Sequence, residues 1–256
     1  MSSISGVAGS AYSSSLSQIA SGIKLQSAAD GASEMAIVEK QNAQINGLNM
    51  GERNAQDAKS LLNVADGAMD GIADNLQKMR ELAIQASNTA VLSDEDRQMI
   101  QDEIDQLKQG ISDIANNTEF NRKKLLDGSY NDGYIATGPN GSGLMLNIGD
   151  STLQALGIAD FDVTGNFSVD TIDNALSKVS SNRSVIGAQS NAIDFTIAYN
   201  AIASINLTSA SSRLEDTDIA KAASEMDKEK LLQSYQIMLQ RKQQEQEKQR
   251  FSLFYA

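Results

Sequence analysis

Carboxylates are the side chains of this sequence best suited to chemistry. Asp102, Glu103 and Asp105 lie almost side by side. Paired carboxylates in different surroundings can serve as acid and base, and a cluster can hold a hard cation. On a helix, however, all three fall outside the apolar stripe Ile100, Ile104, Leu107, Ile111 and Ile114, so a solvated face is the stronger reading. The stretch from Asp127 to Gly138 is rich in oxygen ligands and faintly resembles a calcium loop. Its glycine is displaced to Gly133, and the closing position holds Gly138 where a bidentate Glu is needed. Gly138, Gly141 and Gly143 make no dinucleotide fingerprint, because no strand–turn–helix with an acidic ribose ligand follows them. Near the C-terminus, Arg241, Lys242, Lys248 and Arg250 alternate with Glu245 and Glu247, the pattern of a charge-laced helix surface more than of a binding patch.

The missing residue types narrow the field further. The sequence has no His and no Cys, which removes Ser-His and Cys-His nucleophile pairs, thiolate and imidazole metal sites, and disulfides. We therefore expect a structural protein and not an enzyme, with no catalytic residue, no metal ligand and no cofactor. A net charge of −12 argues against nucleic acid as a partner, since phosphate binding needs a basic stripe. No run is apolar and long enough to span a bilayer, so no membrane is expected either. Met1 to Ile23 carries no charged side chain, and Met1 to Ser15 lacks the basic and apolar regions of a cleaved signal peptide. These rules alone would leave the protein in the cytoplasm.

The elements that position these residues are mostly long helices. Pro139 is the single proline, and aromatics are only 5%, which favours close helix packing over a thick core. Leu48, Ala55, Leu62, Met69, Leu76 and Ala83 recur at every seventh position, with Gly51, Ala58, Ala65, Ile72, Met79 and Ala86 offset by three. This heptad pattern predicts a rod of roughly 60 Å. Ser93, followed by Asp94, Glu95 and Asp96, reads as the cap of a second helix, and the short break before it predicts an antiparallel hairpin. Asp127-Gly128, Asp132-Gly133, Pro139-Asn140-Gly141 and Gly149-Asp150 are turn signals that predict a small β-rich segment at about 121–168. Ile172, Val179, Ile186 and Ile193 then mark a third long helix, with Leu176 and Ile197 partly filling its second stripe. The expected core of this bundle is Leu62, Met69, Leu76, Met79, Ile104, Leu107, Ile186 and Ile193. Narrower stripes occupy both termini: Ile4, Val7, Ala11, Leu16, Ile19 and Ile23 at one end, and Ile219, Met226, Leu231, Tyr235 and Met238 at the other. Helices of that length are marginal alone, so each set needs the other or a neighbouring chain.

Three segments carry a family resemblance. Ile19 to Asp30 (IASGIKLQSAAD), Leu76 to Ser87 (LQKMRELAIQAS) and Ser212 to Ala220 (SRLEDTDIA) resemble strings of the bacterial flagellins. Ile100 to Asp105, Thr118 to Asn121 and Leu144 to Gly149 support them, in the family's order and across nearly the whole sequence. Departures are Ser17-Gln18 where Glu-Arg is usual, Gly31 where a second Asp is common, and the charged stretch Arg241 to Arg250 where the family is neutral.

The resemblance implies a mainly α fold: a long antiparallel helical rod or coiled-coil bundle with a small β-hairpin region and paired N- and C-terminal helices. Residues 1–32 with 217–256 would form the inner, lumen-lining coiled coil, and residues 33–216 the rod, without large variable outer domains. The implied job is a structural subunit of the flagellar filament, exported unfolded without a cleaved signal and so extracellular. Implied partners are further copies of itself, the flagellar export apparatus, a secretion chaperone and the filament cap. A host Toll-like receptor is a further implied partner, with Lys78, Leu82 and Glu103 standing at the family's contact positions. A hook–filament junction protein and an intracellular coiled-coil scaffold are the alternatives.

Overall fold

The computed structural model describes residues 13–254, with side chains described for 13–250. The fold is mainly α, with long paired helices and two small antiparallel β-hairpins. Helix α1 (residues 13–21) leads to α2 (Ala28–Ala86), which is interrupted at Gly31, and then to α3 (Asp94–Asn117). The short strands β1 (Glu119–Phe120), β2 (Lys123–Lys124), β3 (Gly133–Ala136) and β4 (Gly143–Leu146) follow. One turn of helix, α4 (Leu153–Leu156), precedes the long α5 (Asp170–Glu215) and α6 (Ile219–Phe254). The chain divides into two compact units, 44–205 and 1–43 with 206–256.

The unit of residues 44–205 is built on the heptads. Both stripes of α2 are buried, Leu62, Met69, Leu76, Ile72 and Met79 completely. Antiparallel α5 lies along it, and polar pairs mark the register: Arg80 with Asp173, Arg183 with Asp66 and Asp70, Lys59 with Asp194, and Ser204 with Asn49. Steps down α2 from Arg80 to Asp70, Lys59 and Asn49 are matched by equal steps up α5, which two straight helices at a small crossing angle require. Helix α3 returns along α2, with Gly71 against Ile114 and Gly110 near Asn75. Its start is fixed by a capping box: Asp96 N–H donates to Ser93 Oγ (3.1 Å) and Ser93 N–H to Asp96 Oδ2 (2.9 Å).

The segment from Glu119 onward is less β-rich than its turn signals predict. Strands end at Leu146, and residues 147–169 run as loop around α4. There Thr152 caps the helical turn and Gly157 (φ 83) closes it, while Lys178 Nζ donates to the carbonyl of Ala155 at 2.8 Å. The β1–β2 ribbon turns through Asn121 and Arg122, both at positive φ as a type I′ turn requires. Strands β3 and β4 pair from Gly133↔Leu146 to Ala136↔Gly143. This hairpin sits on α2 and α5: Asn54 Nδ2 donates to Ala136 O (2.8 Å) and Asn200 Nδ2 to Thr137 O (2.7 Å).

In the other unit, the turn after α1 is tied to the junction between α5 and α6. Lys24 N–H donates to Glu215 O, Thr217 N–H to Gly22 O, both at 2.8 Å, and Ile23 bridges Asp216. Ser15 Oγ donates to Glu229 of α6 at 3.2 Å, so the two terminal helices meet. Among the described residues of this unit, Leu25, Val38 and Ala222 are the buried apolar ones.

Candidate functional site

The acidic groups do local structural work. Asp102, Glu103 and Asp105 are exposed; Asp102 accepts from Gln98, and Asp105 from Gln101 and Lys108. Asp127 accepts from the N–H and hydroxyl of Ser129, an Asx turn in place of a cation cradle. Among the described residues, no three acidic side chains gather as metal ligands would. Hydrogen bonds hold the carboxyls of several caps and turns below the usual range. Ser93's backbone N–H does so for Asp96, Ser27's backbone N–H for Asp30, and the hydroxyls of Ser129 and Thr164 for Asp127 and Asp162. Arg80 and Arg183 are pushed up by hydrogen bonds to Asp173 and Asp66. Each shift deepens the charge the group already carries at neutral pH, the opposite of what proton transfer needs.

What the surface offers instead is apolar helix face. Of the expected bundle core, Leu62, Met69, Leu76, Met79, Ile104, Ile186 and Ile193 are buried, and Leu107 packs half-buried against them. On α6, Ile219, Leu231, Tyr235 and Met238 are 57–70% exposed, with Leu232 and Leu239 beside them, and Met226 is half-buried. On the N-terminal side, Leu16 is exposed while Ile19 and Ile23 are half-buried; Ile4, Val7 and Ala11 lie outside the described residues. Lys78 and Glu103 are exposed, and Leu82 is half-buried against the core.

Sequence reading missed a second stripe on α5. Phe195 (80% exposed), Tyr199, Ile202 and Ile205 face outward, with Val185 nearer the start. The signal was available. Val185, Ala192 and Tyr199 repeat every seven residues one position before the register of the buried Ile186 and Ile193, and Ala188, Phe195 and Ile202 follow them three positions on. A helix apolar on two sides can pack on more than one neighbour.

Long heptad helices bearing a small hairpin region, with outward apolar faces, define a structural class of protein whose surface presents helices for packing. The family model described as the bacterial flagellin N-terminal helical region matches residues 3–131, and that of the bacterial flagellin C-terminal helical region matches residues 169–250. The chain belongs to the bacterial flagellin family. Flagellin of Bacillus subtilis strain 168 is 37% identical over 270 residues, covering 90% of this chain and 88% of that one. Flagellin of Halalkalibacterium halodurans is 38% identical, covering 88% and 85%. The flagellar filament 31.3 kDa core protein of Treponema maltophilum is 33% identical, covering 89% and 86%. Among solved structures, Bacillus cereus flagellin matches with a TM-score of 0.52 at 29% identity, over 58% of this chain and 88% of that one.

Proposed function

We propose that this chain is a structural subunit of the bacterial flagellar filament, polymerising with copies of itself outside the cell and catalysing no reaction. The observation that carries this reading is the exposed apolar surface of α5 and α6, where Phe195, Tyr199, Leu231 and Met238 stand open to be covered by neighbouring copies. Paired terminal segments, residues 1–32 and 217–256, form the inner coiled coil of the polymer, and residues 33–216 the surrounding rod. Export proceeds unfolded through the flagellar channel, with a chaperone and a filament cap as partners. Supporting this route is a sequence without cysteine, so no disulfide has to be undone before passage. Negative-stain imaging of purified chain and of a variant lacking residues 1–20 tests it. The full chain forms filaments, and the variant stays a largely helical soluble monomer; filaments from the variant refute the role given to the termini.

The same reading makes Lys78, Leu82 and Glu103 contacts for a host Toll-like receptor. The exposure of Lys78 and Glu103 on neighbouring helices supports it. Lysine keeps the charge of the family's arginine but loses its planar fork, so Lys78→Arg raises potency in a receptor reporter assay and Glu103→Ala lowers it. If neither variant changes potency, the contact site is wrong.

A further inference from the structure

The sequence contains the dipeptide Asn-Gly twice, at Asn46-Gly47 and Asn140-Gly141, and the fold treats the two differently. We propose that Asn140 is a site of spontaneous covalent modification, deamidating in the folded protein, while Asn46 is held inert by α2. The backbone nitrogen of Gly141 attacks Cγ of Asn140 and gives up its proton. The new N–Cγ bond closes a five-membered imide as the Cγ–Nδ2 bond breaks and ammonia leaves. Water then opens the ring at either carbonyl, giving aspartate or isoaspartate, and no other reactant is needed.

Both asparagines are exposed, so access does not separate them. Backbone conformation does. Asn46 and Gly47 lie inside α2, where helical ψ points the Gly47 nitrogen away from the carboxamide and attack would break the hydrogen-bond ladder. The space is closed as well: a Cβ at Gly47 would lie 2.7 Å from Pro139 Cα. Asn140 sits in the hairpin turn between β3 and β4, and its carboxamide makes no hydrogen bond among the described residues. Two hydrogen bonds hold Gly141 in the turn, its N–H to Gly138 O at 3.1 Å and the Tyr134 hydroxyl to its carbonyl oxygen at 2.6 Å, fewer than the ladder that encloses Asn46, and nothing lies within 4 Å of where a Gly141 Cβ would stand. The product adds a negative charge to the hairpin tip. As isoaspartate it also lengthens the backbone next to Pro139, which rests on Gly47.

Purified, folded full-length chain is incubated at neutral and mildly alkaline pH, beside a sample unfolded in guanidinium. Peptide mass spectrometry with fragmentation then localises each amide-to-acid conversion. In the folded sample conversion accumulates at Asn140, faster at higher pH, while Asn46 stays amidated; in the unfolded sample both convert. Asn140→Gln abolishes the signal from the hairpin. Equal conversion of both sites in the folded chain overturns the proposal. So does an Asn140 that stays intact while the unfolded sample reacts, or a hairpin signal that survives Asn140→Gln.

Discussion

Glycine in a helix interior normally costs stability, and alanine there gains about 1 kcal/mol. Gly51→Ala reverses that sign. A Cβ at Gly51 would lie 2.0 Å from the carbonyl oxygen of Thr137 and 2.5 Å from its carbon. The obstacle is backbone, so no side-chain rotation relieves it, and the hairpin must lift off α2. Overpacking of this kind costs about 1–3 kcal/mol. The same carbonyl accepts from Asn200 Nδ2 at 2.7 Å, and Asn200 is 2% exposed. Displacing it leaves a buried amide without its acceptor, which costs about a further 1–3 kcal/mol. Against a propensity gain of about 1 kcal/mol, the net is a loss of about 1–5 kcal/mol. Gly67, on the same helix, is exposed and has nothing within 4 Å of its added Cβ. Gly67→Ala therefore gains about 1 kcal/mol. In thermal unfolding of the monomer followed by circular dichroism, each kcal/mol moves Tm by about 2–4 °C. The two variants shift it in opposite directions; Gly51→Ala melting at or above the parent refutes the close seating of the hairpin.

Other outcomes follow from the same geometry. Leu76→Ala empties a fully buried heptad position and costs about 2–5 kcal/mol in urea unfolding. Lys59→Ala breaks only the half-exposed pair with Asp194 and costs about 0–1 kcal/mol, so equal losses would mean the buried face of α2 is misassigned. Asp96, with its carboxyl held below the usual value, stabilises the start of α3 at any pH above the ordinary carboxylate range near about 3.9. That contribution is lost as pH falls through the depressed folded value; Asp96→Asn flattens this part of an acid titration followed by helicity, and an unchanged curve counts against the cap. Arg241, Lys242, Glu245, Glu247, Lys248 and Arg250 are all exposed on α6, and repetition of the subunit brings them close to their copies. Mixed signs then pair between chains, so light scattering reports polymerisation that changes with ionic strength; an assembly rate flat from low to high salt refutes this.

How far the sequence could be read depended on the kind of contact. Apolar helix contacts repeat with the helix, so the burial of Leu62, Met69 and Leu76 follows from their sevenfold spacing. The start of α3 was legible because Ser93 and Asp96 satisfy each other within one turn. Gly51, by contrast, occupies a stripe position where it reads as a small apolar filler, yet it is there to admit a backbone carbonyl. Asn200 stands where the period of Ile186 and Ile193 calls for another apolar residue, and it is buried because that carbonyl needs a donor. Gln101, next to Ile100, is buried for the same reason: its Oε1 accepts from Val163 N–H at 2.8 Å. The turn at Asn121 and Arg122 adopts positive φ without a glycine to announce it. Each of these exceptions involves the segment between α3 and α5, whose backbone has too few strand partners of its own. A loop laid on a helical bundle must find donors and acceptors for its peptide groups on the helices. Those partners fall wherever the loop crosses, not at any period, and a polar residue inside a heptad frame is the trace they leave in the sequence.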